Sequence, residues 1–246
     1  MPALVRAELL ALRTIRTTWA LLAGAVLLTA ALAVNPVLAA GRDGAPSIGT
    51  AGALLAVLGA PGLGRLVAMI LGVLAMTAEV RHRTLTATFL RSTRRTRVLV
   101  AKGAAVVLLA AAVAVVDLAV ALAVGLTTGA VQPALLNADI LLRVLGLLLA
   151  YPLYGLIGVA AGALIGYQPV AVLLPVAWVL VLEDLALHMV PAWTASWSLG
   201  GVTAALANAG DVTDVLPIAT GGATLLAYTL LLFALGAVRL GRRDVT

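Results

Sequence analysis

Two histidines, no cysteines and ten acids limit the chemistry open to this 246-residue chain. Glu79 and His82 stand three apart, a spacing at which one helix face can present two metal ligands. A catalytic zinc needs three protein ligands, and no third lies nearby in the sequence. Glu183, Asp184 and His188 form a second group. An intramembrane protease would need partners for it at matched depth on other segments, and this is the one such group. The lack of cysteine excludes disulfides and thiolate metal sites. No Gly-x-x-x-x-Gly-Lys-Ser/Thr loop occurs, so no nucleotide is held here in the P-loop manner.

A different set of ionisable residues carries more weight. Asp117, Arg65, Arg143, Glu183 and Asp184 interrupt apolar runs. A charge in hydrocarbon is costly, so it is paired or functional. All five are expected at similar depth toward the outer side. They define a candidate outer gate or solute path, with Asp117 and Glu183 opposing Arg65 or Arg143. The alternative is plain charge pairing and snorkelling.

The elements that position these residues follow from composition. The chain is 63% hydrophobic and 11% charged, with a mean hydropathy of +1.15. A soluble domain carries about 25% charged residues, so lipid must be the solvent for most of this surface. The net charge of +6 is not a nucleic-acid signal, because the cations cluster at the ends of apolar runs.

Residues 1–18 read as an amphipathic helix lying in the headgroup plane, with Leu4, Val5, Leu9, Leu12 and Ile15 near helical spacing. Apolar spans are expected near 19–38, 62–80, 98–125, 140–165, 170–188 and 217–238. The short apolar run 47–60 is read as an external interfacial segment, with a continuous bent helix from Thr50 as the alternative. Residues 189–216 form an outside connection, where Trp193 and Trp197 suit either an aromatic belt or an exit lid. Gly155, Gly158, Gly162 and Gly166 recur at spacings of three and four, the pattern of close helix packing. With both termini inside, 13 of the 16 cations fall on the cytoplasmic side, which fixes the expected orientation. The expected class is therefore an all-α integral membrane protein forming a single domain over 1–246. Its location is an inner or plasma membrane, of bacterial type by its Ala, Leu, Val and Arg usage.

The one long charged stretch, 79–102, joins the second and third spans and holds seven cations. Its order is Glu79, Arg81-His82, Thr84-Leu85, Phe89-Leu90, Arg94-Arg95, Arg97 and Ala101-Lys102. This resembles the cytoplasmic connection of ATP-binding-cassette exporter permeases of the type-2 family. Arg83 and Thr93 stand where that family usually has Gly and often has Pro. The resemblance is close over about 24 residues and extends loosely to the span layout.

The resemblance implies a six-span fold with an N-terminal elbow helix and a cytoplasmic coupling helix over 79–97. It implies an ATP-driven exporter of an amphiphilic, drug-like or lipidic solute, hence a transport subunit rather than an enzyme. ATP and Mg would be bound by a separate ATP-binding subunit, with no cofactor in this chain. The other partners would be a second permease copy, as homodimer or related permease, and membrane lipid. Glu79, Arg81, His82, Arg83, Thr84, Arg94 and Arg95 are the implied coupling residues, and the turn at Tyr167 and Gln168 a second contact. A non-transporting membrane scaffold shares the composition and differs only in lacking this motif argument.

Overall fold

The computed structural model describes residues 2–42, 44–81, 95–135, 137–207 and 216–242. Their regular structure is all helical, and among the described residues there is no strand. Five helices are long and apolar enough to cross a bilayer. The chain is thus an all-α, multi-pass membrane protein.

Helix α1 (Pro2–Thr14) is followed at once by α2 (Arg16–Ala39). The Trp19 indole donates to the Arg13 carbonyl oxygen at 2.8 Å and ties the two together. Pro36 lies inside α2 near its last turn.

Helix α3 (Ala51–Gly59) starts at Thr50, whose hydroxyl accepts from the Ala53 amide at 3.3 Å. A 3-10 turn over Ala60–Leu63 leads into α4 (Gly64–Arg81). The expectation of an external segment at 47–60 is corrected here. Residues Ala51–Ala78 form one broken apolar unit of 28 residues, close to the bent-helix alternative. Pro61 has no amide hydrogen to donate, and a 3-10 turn bridges the gap with tighter bonds rather than ending the helix.

Helix α5 (Arg95–Thr128) has 34 residues and is about 51 Å long, well beyond a hydrocarbon core of about 30 Å. Helix α6 (Ala138–Ile165) begins where the Asn137 side chain accepts from the Ile140 amide at 2.9 Å. It ends at Gly166, whose φ of 76° is the left-handed cap that a residue with a Cβ would resist.

Helix α7 (Gln168–Ala177), a π turn (Trp178–Leu182) and α8 (Glu183–Leu187) run on without a break. This is the expected fifth span, 170–188. Only Gln168–Leu182 counts as an apolar helix, and it is shorter than the other five. Pro175 lies one turn before the π turn, where the Glu183 amide reaches back to the Trp178 carbonyl oxygen. The extra residue per turn rotates Glu183 inward, so it is buried while its neighbours Leu182 and Leu185 are exposed.

A 3-10 helix (Ala192–Trp197), α9 (Leu199–Ala207) and α10 (Ile218–Arg242) complete the chain. The expected outside connection is more deeply set than the sequence suggests. Val202 and Leu206 of α9 are buried with Leu66, Met69, Tyr154 and Leu225. The apolar face of α9, hidden within a mixed stretch, finds a seat against α6 and α10.

The hub is α6, with half of its 28 residues buried. Its glycines let α4 lie almost against its backbone, as expected from their spacing. A Cβ on Gly158 would fall on the Met69 carbonyl oxygen, and one on Gly72 would fall on that of Gly155. A Cβ on Gly162 would lie 2.8 Å from that of Met76.

One end of the bundle gathers α1, α4, α5, α6 and α10. Leu12, Met76, Leu99, Ala163 and Leu240 share a buried cluster there. Helix α1 and the C-terminal end of α10 therefore lie at the end where α4 and α5 lead to residues 82–94. Lys102, expected within a solvated connection, sits inside α5 and is 2% exposed. Its Nζ donates to Glu8 Oε2 at 2.8 Å. Burial of Leu12 together with this ion pair docks α1 onto α5, where the headgroup reading left it loosely attached.

Candidate functional site

A polar cluster lies within the membrane-spanning helices where α2, α4, α5 and α6 meet. Asp117 sits on α5 with no exposure, and Tyr151 on α6 is equally buried. The Tyr151 hydroxyl donates to Asp117 Oδ2 at 2.9 Å. Gly64 makes the approach feasible, because a Cβ there would collide with both oxygens. Asp117 Oδ1 has no hydrogen-bond partner among the described residues. The Thr29 hydroxyl of α2 faces this carboxylate without a formed hydrogen bond.

Arg65 stands beside the pair on the first turn of α4. Its guanidinium lies 5.3 Å from the centre of the Tyr154 ring, within cation–π range. One terminal nitrogen donates to the Gly62 carbonyl oxygen in the 3-10 turn. Among the described residues Arg65 forms no ion pair with Asp117. Tyr154 in turn shares a 2.9 Å hydrogen bond with Thr203 of α9. Thr29, Asp117, Tyr151, Arg65, Tyr154 and Thr203 thus trace a polar path from α2 through the hub to α9.

Arg65 falls midway along the apolar unit Ala51–Ala78, and Tyr151 midway along α6. The helix break at Ala60–Leu63 is what places Arg65 mid-unit, since α3 adds about two turns before it.

Of the proposed gate residues, the structure brings Asp117 and Arg65 together and leaves the others elsewhere. Glu183 Oε1 accepts from the Gly200 amide at 2.6 Å and so caps α9. Arg143 lines a small crevice with Leu55, Leu58 and Leu147. Asp184 lies on α8, and its side chain falls outside the described residues. Trp193 and Trp197 are both exposed on the 3-10 helix, and the Tyr228 hydroxyl fastens that helix at the Trp197 carbonyl oxygen, 2.9 Å away.

Glu79 and Arg81 end α4 and Arg95 begins α5, with backbones described and side chains not. His82, Arg83, Thr84 and Arg94 lie outside the described residues. Tyr167 is exposed in the turn after Gly166, and Gln168 begins α7 with its carbonyl oxygen Oε1 buried and unpartnered. Tyr151, Tyr154, Thr29 and Thr203 were not singled out from the sequence. The signal was there: two tyrosines three apart in the centre of an apolar run, in a chain with four in all.

Two pockets mark the bundle, and only the smaller is lined by a residue of the cluster. One, of about 360 Å³, lies between α2 and the α3–α4 break, lined by Leu32, Ala56, Gly59, Leu63 and Arg65. The other, of about 740 Å³, is an apolar groove along α6, α7 and α10 that includes Trp178, Trp197, Tyr228 and Leu231. Neither the models of known protein families nor the curated proteins include a match to this chain.

Proposed function

We propose that the chain is the membrane-spanning subunit of an ATP-driven exporter, resembling the type-2 ATP-binding-cassette permeases. The observation that carries this reading is the ordered motif from Glu79 to Lys102 between two membrane helices. Its setting agrees with a coupling role. The bundle end that leads into residues 82–94 also gathers α1, Arg97, Arg239 and Arg242. Cations in short connections remain cytoplasmic, so this end faces the cytoplasm and is open to a soluble ATPase.

A charged segment held between two rigid helices sets register and partner choice at a protein interface. Closure of two ATPase subunits would push on it in each of two permease copies. The push would travel along α4 and α5. These helices hold Arg65 and Asp117, and α4 is packed against the hub through its glycines. An apolar groove beside Trp178, Tyr228 and Leu231 then suits the apolar body of an amphiphilic solute, moved outward.

The test is capture of the tagged chain from its native membranes. A P-loop ATPase should be recovered with it. The double reversal Glu79→Lys, Arg81→Glu should reduce that recovery at least about tenfold, as loss of close charge pairs at an interface does. Undiminished recovery at equal expression would contradict the coupling role of these residues.

A further inference from the structure

The smaller pocket is a shallow depression, open at the surface of the bundle, with one charged lining residue, Arg65, beside Leu32, Ala56, Gly59, Ala60 and Leu63. Among the described residues the guanidinium donates only to the Gly62 carbonyl oxygen, and its Nε is buried without an acceptor. A half-buried cation midway along an apolar, membrane-spanning unit, with no ion pair among the described residues, is an expensive arrangement. Asp117 does not offset it from within the cavity, because it lies fully buried behind Gly64 and Tyr151 and lines none of it. The charge that an entering molecule meets is therefore positive, on a floor otherwise apolar.

We propose that this cavity binds the anionic head of a single-chain amphiphile, a carboxylate or a phosphate, entering sideways from the bilayer between α2 and α3. A guanidinium offers forked donors that match either head, and such charge-assisted bonds are the strong ones. The volume, about 360 Å³, lies at the low end of ligand pockets. It admits a head with the first part of one chain, and Leu32 and Leu63 line the route that the methylenes would follow. The inference deepens the export reading and rests on it for its meaning, since it names the class of solute that the cluster would accept.

The experiment uses the purified chain alone in a neutral detergent, without any ATPase. Oleate, dodecyl phosphate, oleyl alcohol and dodecyltrimethylammonium are each titrated while the unfolding midpoint is followed. Both anionic probes should raise the midpoint saturably, as any ligand of the native state does, and the neutral and cationic probes should not. Arg65→Gln should weaken the anionic effect at least about tenfold. Gly59→Leu provides a variant that keeps Arg65. Gly59 lines the pocket and a Cβ there meets nothing within 4 Å, so the fold accepts a longer side chain that narrows the pocket. It too should abolish the saturable shift. Equal shifts with oleyl alcohol, or shifts that survive both substitutions, would overturn the proposal. Since no ATPase is present, that failure is separate from failure of the coupling test.

Discussion

Gly158→Val should prevent accumulation of folded protein. The Cβ alone would land on the Met69 carbonyl oxygen of α4, and two methyl groups follow it. Ordinary overpacking costs about 1–3 kcal/mol because side chains shift aside. Here the obstacle is backbone, held by helical hydrogen bonds on both sides, so at least about 3 kcal/mol is expected. Domains are stable by only about 5–15 kcal/mol, so the loss should show as a collapsed yield and a much lower unfolding midpoint. Gly24→Ala is the matched control. Gly24 lies inside α2 with nothing within 4 Å of an added Cβ. Alanine there should be neutral or stabilising by about 0.5–1 kcal/mol. Equal behaviour of the two variants would mean that α4 and α6 are not in such close contact.

Glu8→Ala is the second large effect, and it concerns how α1 is held. Lys102 is 2% exposed and Glu8 14%, so the pair is screened little by solvent. Removing one partner of a buried ion pair costs about 3–5 kcal/mol. Glu8 sits toward the rim, so about 3 kcal/mol is expected. The double change Glu8→Leu, Lys102→Met removes both charges and keeps the volume. It should restore most of the loss, since well-packed apolar residues replace buried ion pairs at little cost. A thermal-melting series of the four proteins measures this. A single variant that melts like wild type would show that α1 is not docked through this contact.

Much of this architecture was legible, and the reasons are local. The α6 glycines announced a packing face. The path of the chain before Arg65 was not legible. The run 47–60 read as a separate external segment, whereas a 3-10 turn at Ala60–Leu63 joins α3 to α4 in one apolar unit. Lys102 was misplaced for a related reason. A cation next to a polybasic stretch looks solvated, and its partner Glu8 is 94 positions away. The link between Asp117 and Tyr151, 34 positions apart, depends on which faces of α5 and α6 meet, and periodicity does not assign that. Glu183 was grouped with Asp117 by counting depth along an ideal helix. The π turn at Trp178–Leu182 re-aims it toward α9 instead.

The proposed export role requires the connection between α4 and α5 to face the cytoplasm and grip an ATPase. The absence of cysteine from the chain allows a direct measurement, because one introduced thiol reports without background. Arg83→Cys lies in that connection. In intact cells a membrane-impermeant maleimide should leave it unlabelled, and a short cross-linker applied in permeabilised cells should join it to a P-loop ATPase. Labelling from outside, or a thiol that is freely labelled from the cytoplasm while joining no ATPase, would contradict the account.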